Sequence, residues 1–176
     1  HVVTRRQRQM CIRDSLGPLE QHKPWNTAGI TGVFNFLKKL WKLYFNDSGL
    51  RITENPPSRQ ALKTLHKTIK KVTEDIEHFS FNTSVSNFMI AVNELSAQKC
   101  NSRAVLEPFL VLIAPYAPHI TEELWSQLGH KSSISSAEFP IFDPKYLVEN
   151  SKNYPISFNG KMRFTLEMSL DLTREE

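Results

Sequence analysis

The sequence predicts a mainly α protein, an antiparallel helical bundle with a truncated β-hairpin appendage. Three observations predict it. Apolar residues recur at three- and four-residue steps between residues 30 and 130, as they do in helices with one buried face. Helix-starting and helix-stopping residues (Ser58, Pro118, Gly129) fall where those stripes begin and end. Past residue 150 the period changes to alternation on either side of Asn159-Gly160, a strong hairpin signal because both central residues of a type I′ turn need positive φ.

Composition agrees with a soluble domain that has a real core: of 176 residues, 40% are hydrophobic and 23% charged, with 11 Phe and 3 Trp. No apolar run approaches the roughly 18 residues that would span a bilayer, so no membrane association is expected. The Arg-rich opening lacks the apolar stretch of a secretory signal. Cys11 and Cys100 have no close spacing partner, which points to a reducing compartment without a disulfide framework.

Residues 1–15 show neither helical period nor strand alternation. The string QRQMCIRDS resembles the translation of a sequencing adapter, and the segment reads as non-native sequence or, alternatively, as a disordered basic arm. Residues 16–29, rich in Gly, Pro and polar side chains, form a connector. A first helix follows, with Ile30, Val33, Phe34, Leu37, Leu40, Trp41 and Tyr44 on one apolar stripe. Asn46–Gly49 supplies its C-terminal stop, and Pro56-Pro57 marks a loop.

Ser58 caps the second helix, whose buried face is Leu62, Leu65, Ile69, Val72 and Ile76. Phe79-Ser-Phe81 breaks it. Asn82 or Thr83 caps a third, with Val85, Phe88, Met89, Val92 and Leu95 inward. The fourth covers about 103–114. There Val105, Leu106, Phe109, Leu110, Leu112 and Ile113 are dense enough to require near-complete enclosure. Pro115 ends it, Pro118 opens a fifth bearing Ile120, Leu124, Trp125 and Leu128, and Gly129 closes that one. The bundle thus spans 30–130. A linker over 131–152 leads to a hairpin at 153–176, the start of a further domain, since a lone hairpin is marginal in water.

Few residues invite catalysis. His119, Glu122 and Glu123 cluster on one helix, but a zinc helix needs a second imidazole one turn away. The blander account has the two glutamates facing the helix N-terminal dipole and His119 partly packed. Cys100 lacks a His partner and reads as an inert thiol. No Gly-rich phosphate loop is present, and no catalytic residue or metal ligand is assigned.

Binding residues are easier to nominate. The net charge is +4, of which residues 1–15 supply +3 through Arg5, Arg6, Arg8 and Arg13 against Asp14. Residues 16–100 hold eleven Lys/Arg against seven Asp/Glu, whereas 101–176 hold seven against ten. On the second helix Lys63, Lys67 and Lys71 follow at four-residue spacing, with Lys70 adjacent and Arg59 near the start. Lys38, Lys39 and Lys42 lie on the first. Such a row would recover binding energy by releasing counterions from a phosphate backbone, but a lysine-rich outer face is also ordinary solvated surface. Composition leaves both readings open. For Trp25 and Trp41, packing is favoured over base stacking.

Several segments then narrow the choice. Gly17-Pro-Leu-Glu-Gln-His-Lys-Pro-Trp25, Gly29-Ile-Thr-Gly-Val33 and Phe36-Leu-Lys-Lys-Leu-Trp41 resemble the bacterial or organellar leucine–tRNA ligases. Phe81-Asn-Thr83 with Phe88-Met-Ile-Ala-Val-Asn-Glu-Leu95 is similar to that family's third helix. Ala114-Pro-Tyr-Ala-Pro-His-Ile-Thr-Glu-Glu-Leu-Trp125 resembles a signature shared with the valine, isoleucine and methionine relatives, so it marks the class I subclass alone. Tyr154-Pro-Ile-Ser-Phe-Asn-Gly-Lys161 again favours leucine.

The resemblance implies the class I anticodon-binding-like bundle of a parent that uses ATP and Mg to attach leucine to tRNA(Leu). The family's HIGH-type and KMSKS-type motifs are missing from these residues, so the fragment alone is expected to be inactive and to need no cofactor. Its implied work is positional: docking on the parent's catalytic domain and holding tRNA by its phosphates. Lys38, Lys42, Arg59, Lys63, Lys67, Lys70 and Lys71 are the candidate contacts, and Pro18 and Glu20 would serve the hinge beside the catalytic loop. A cytoplasmic (or organellar matrix) monomer is expected. The alternatives are the same domain of a valine or isoleucine enzyme, or a protein-interaction bundle that binds no RNA.

Overall fold

A computed structural model describes residues 29–147, 151–158 and 161–169. Residues 16–28 of the connector, Trp25 among them, Cys11, the opening arginines and the Asn159-Gly160 turn lie outside the described residues. The helices are α1 (Gly29–Tyr44), α2 (Arg59–Glu77), α3 (Phe81–Ala97), α4 (Arg103–Ile113) and α5 (Pro118–Gln127). The strands are β1 (Phe45–Asn46), β2 (Gly49–Leu50), β3 (Ser151–Phe158) and β4 (Lys161–Ser169). Two units result, one ending at Asp143 and the other beginning at Pro144.

In the first unit α3 is central, flanked by α1 and α2, and α4 packs against α2 and α5. Burial follows the apolar stripes. Ala61, Leu65, Ile69 and Val72 of α2 face Val85, Phe88, Ala91, Val92 and Leu95 of α3 in one core, which α4 completes with Val105, Leu106, Phe109, Leu110, Leu112 and Ile113. Tyr44 is fully buried and its phenol donates to the Leu106 carbonyl at 2.7 Å, which satisfies the one polar atom it brings inside. Burial also drives the ionisation of that phenol well above its ordinary value.

The first helix faces the core along a different edge than its stripe suggested. Val33, Phe36, Leu40, Leu43 and Tyr44 are buried, whereas Phe34 and Trp41 remain 39% and 37% exposed. Apolar residues come in adjacent pairs along α1 (33-34, 36-37, 40-41, 43-44), so periodicity defines an apolar arc wider than the contact α3 can cover. The expected stop at Asn46–Gly49 is a miniature hairpin rather than a cap. Phe45 pairs with Leu50 and Asn46 with Gly49. The Asn46 side chain accepts from the Ser48 amide, and Gly49 supplies the required positive φ of 111°.

Helix ends depart from the expected residues for one shared reason. Three helices finish in Schellman motifs, in which the amide two past the cap bonds to the carbonyl five residues before it. At α5 the left-handed residue is Gly129, as anticipated. At α2 and α3 it is Phe79 (φ 54°) and Lys99 (φ 52°), which no glycine search would find. The bonds from Ser80 N–H to Asp75 (2.7 Å) and from Cys100 N–H to Leu95 (2.9 Å) close the two motifs. The third helix begins at Phe81 rather than at an Asn82 or Thr83 cap, with Thr83 donating its hydroxyl to the Ser80 carbonyl. Because a left-handed L-residue costs about 1–2 kcal/mol, partly offset by glycine's greater freedom when unfolded, Lys99→Gly should stabilise the bundle by about 0.5–1 kcal/mol. Urea unfolding followed by circular dichroism measures this, and a loss of stability would contradict the assigned end.

Two loops are sewn onto the helices. Residues 51–57 bridge to the start of α4, with Thr53 N–H donating to Asn101, Arg103 N–H to Thr53, and Ser102 Oγ to the Asn55 carbonyl. After α5 the chain folds back: Trp125 Nε1–H donates to the Ser132 carbonyl, Ile134 is buried, and the Asp143 amide donates to His66 Nδ1. Residues 131–143, expected as the first half of a linker, therefore pack with the bundle.

In the second unit a 3-10 turn over Pro144–Tyr146 precedes the antiparallel pair of β3 and β4. Phe158 pairs with Lys161 across a two-residue connection, the register expected around Asn159-Gly160. The register shifts by one between Ile156 and Ser157, so Arg163 is the extra residue of a β-bulge.

Candidate nucleic-acid interface

The catalytic candidates disperse first. Among the described residues no cluster of three or more His, Cys, Asp or Glu could hold a metal ion. His119 is exposed rather than partly packed. Glu122 and Glu123 lie beyond the first turn of α5, so they do not serve its N-terminal dipole. Glu122 instead accepts from Ser133 Oγ and the Ile134 amide at 3.1 Å each, and Glu123 accepts from Gln127. Cys100 is buried, and burial raises its thiol pKa against the weaker pull of the Ser102 backbone and Arg51, which makes it a poor nucleophile.

The cations of α2 follow directly from its amphipathic pattern. Ser58 fixes where the helix starts, its hydroxyl accepting from the Ala61 amide at 3.1 Å. With Leu65, Ile69 and Val72 turned inward, Lys67, Lys70 and Arg59 stand exposed and Lys63 is half-buried. Lys71 differs. Its ammonium sits 2.7 Å from Asp75, a carboxylate only 3% exposed, which also accepts from Ser84 Oγ of α3. The hydrogen bond with Asp75 is the main reason the Lys71 pKa is raised, so that cation is committed to neutralising a buried charge. Lys70 turns toward the Phe142 ring, 6.0 Å from its centroid, rather than pairing with Glu74.

Charge order along α2 is unusual. Arg59, Lys63 and Lys67 occupy its N-terminal half with no acid in the first turn, while Glu74, Asp75 and Glu77 gather at the C-terminal end. Helix stability alone favours the reverse, since the macrodipole is positive at the N-terminus. The cations and the dipole therefore add, concentrating positive potential at one end of the helix.

On α1, Lys38 lies over the Phe34 ring at 4.4 Å, Lys39 donates to Asn93 of α3, and Lys42 is exposed. Two features of this region escaped sequence reasoning. Arg51, just past β2, donates to the Lys42 carbonyl at 3.2 Å and so adds a cation beside the helix. Trp41 is half-exposed and stacks on Phe45, with centroids 4.9 Å apart and planes 15° from parallel. Both depend on the miniature hairpin, which two-residue strands are too short to announce.

A cleft of about 400 Å³ lies on α4, lined in part by Glu54, Arg103, Glu107, Pro108, Trp125 and Glu138. Arg103 bonds Glu54 at 2.5 Å and the Leu128 carbonyl at 3.1 Å, and it approaches Glu107. His130 packs against Glu107 and stacks on Trp125 at 3.7 Å. Three carboxylates against one guanidinium in its lining give this cleft the wrong sign for phosphate. The cationic surface is on α1 and α2.

With that geometry in view, comparison with known proteins is specific. The family described as the anticodon-binding domain of tRNA ligase matches residues 58–176. The leucine–tRNA ligase of Flavobacterium johnsoniae is 71% identical over 158 residues, covering 90% of this chain and 17% of that protein. The leucine–tRNA ligase of Christiangramia forsetii is 70% identical over 161 residues, again 17% of its own length. The chain thus spans about a sixth of the relatives it matches. Among solved structures, the LeuRS of Agrobacterium radiobacter K84, crystallised as a ternary complex with tRNA and LeuAMS, superposes with a TM-score of 0.74 at 25% identity. That match covers 99% of this chain and 24% of the other. A helical bundle with a cationic flank, similar along 90% of its length to leucine–tRNA ligases, belongs to the anticodon-binding domain family of tRNA ligases.

Proposed function

We propose that this chain is the tRNA-binding bundle of a leucine–tRNA ligase and that it holds tRNA(Leu) by its phosphates while chemistry occurs elsewhere in the parent. The parent joins leucine to tRNA(Leu) with ATP and Mg, acts in the cytoplasm as a monomer, and packs its catalytic domain against this bundle. The part this reading gives the chain is orientation. The relatives' names support leucine over valine or isoleucine as the amino acid.

The observation that carries the reading is the charge order of α2. Cations stacked toward the helix N-terminus lower helix stability by a few tenths of a kcal/mol each, a cost that stability cannot explain and polyanion binding can. Phosphate contacts position without reading sequence, which suits a domain that must present a distant acceptor end.

Gel shift of tRNA(Leu) with the whole chain tests this. Three or four phosphate contacts at about 0.9 ions each predict that affinity falls roughly 40- to 150-fold between 50 and 200 mM salt. Absence of binding at 50 mM salt would leave the lysines as solvated surface on a protein-interaction bundle.

A further inference from the structure

The apolar arc of α1 that the core leaves uncovered has its own organisation. Phe34 and Trp41, seven residues apart, share one edge of the helix, and Phe45 continues that line into β1 as the ring on which Trp41 stacks. Leu50, 43% exposed, pairs with Phe45 across the hairpin. Cations are interleaved with these rings: Lys38 over Phe34, Lys42 next to Trp41, and Arg51 anchored to the Lys42 carbonyl. In the span from Phe34 to Arg51, Asp47 is the sole acid against Lys38, Lys39, Lys42 and Arg51.

Two classes of occupant could cover such a face. A protein surface would be expected to meet an apolar centre with charge at the rim, because lysine is depleted from interface cores. Here Lys38 lies over the Phe34 ring, within the line of the rings and not at its rim. Alternating rings and cations, with net positive charge, instead match a strand of nucleotides: phosphates meet the ammonium and guanidinium groups, and a base lies on an aromatic face. The Phe45 stack fixes the Trp41 indole, so little side-chain freedom remains to be lost on binding.

From this arrangement we infer that Trp41 is a stacking platform for an unpaired RNA base, flanked by Lys38, Lys42 and Arg51 as phosphate contacts. The inference rests on the tRNA-binding reading and adds a second, base-dependent contact to the phosphate contacts of α2. It distinguishes RNA with unpaired nucleotides from a fully paired duplex, which α2 alone would not.

The test compares two probes on the whole chain at low salt: an RNA stem-loop with unpaired loop bases, and a blunt RNA duplex of equal charge. Trp41→Ala should weaken stem-loop binding about tenfold or more and leave duplex binding within twofold. Trp41→Phe, which keeps a stackable ring, should retain most of the stem-loop affinity, whereas Trp41→Leu, apolar without a π face, should not. Thermal unfolding of each variant checks that the bundle is intact, since Trp41 lies at the surface. Equal losses on both probes, or full binding by Trp41→Leu, would overturn the stacking platform while leaving the α2 reading in place. Should the unmodified chain bind neither probe, both readings fall together.

Discussion

Phe109→Ala is expected to remove about 3–5 kcal/mol of stability, enough to bring the bundle close to unfolding at ordinary temperature. The ring is fully buried on α4 and meets Phe88 of α3 edge-on, centroids 6.3 Å apart. Phe88 in turn meets Tyr116 at 5.1 Å, and Tyr116 meets Phe81 at 6.2 Å. Truncation deletes the transfer energy of the ring and leaves a cavity that these crossed neighbours cannot fill without leaving their own contacts. The same ring series ends at Phe79, which is 68% exposed, so Phe79→Ala should cost only a few tenths of a kcal/mol from lost contacts. Urea titration of both variants by circular dichroism separates them. A cost below about 1.5 kcal/mol at Phe109 would mean that α4 is not the enclosed wall described here.

That contrast shows what could be read in the sequence. Enclosure of α4 was legible because seven apolar residues within nine positions leave almost no polar face to present to water. The second helix was legible at both its cap, Ser58, and its buried face, because lysines punctuate the apolar positions and leave one possible orientation. The first helix was not. Its apolar pairs offer two adjacent stripes of equal period, and only the packing against α3 selects Phe36 and Leu43 over Phe34 and Trp41. Helix ends at Phe79 and Lys99 were hidden because their left-handed residues are ones that ordinarily avoid that conformation, held there by the bonds that Ser80 and Cys100 return to Asp75 and Leu95.

Within the candidate interface the same limit applies. Spacing placed Lys63, Lys67 and Lys71 on one side of a helix, and they are there. Spacing could not reveal that Asp75 would be buried, which needs the approach of Ser84 from α3. Nor could it show Arg51 folding back on Lys42, a contact made by the two-residue strands β1 and β2. Local pattern yields faces. Which members of a face remain available to a ligand depends on partners brought in from elsewhere in the chain.

Lys71 and its neighbours therefore make the most discriminating test of function. Lys67→Glu combined with Lys70→Glu should lower tRNA(Leu) affinity about 100-fold or more at 50 mM salt, since each lost phosphate contact is worth about tenfold there and reversal adds repulsion. The slope of log affinity on log salt should become shallower by about 1.8, and the loss should be nearly the same for unrelated tRNAs. Lys71→Ala should behave in the opposite way. Its ammonium already neutralises Asp75, so removal should lower the unfolding midpoint by leaving a buried carboxylate with Ser84 alone, while the salt slope stays nearly unchanged. If instead Lys71→Ala flattened the slope and the double reversal did not, Lys71 and not Lys67 or Lys70 would meet phosphate, and its commitment to Asp75 would be wrong.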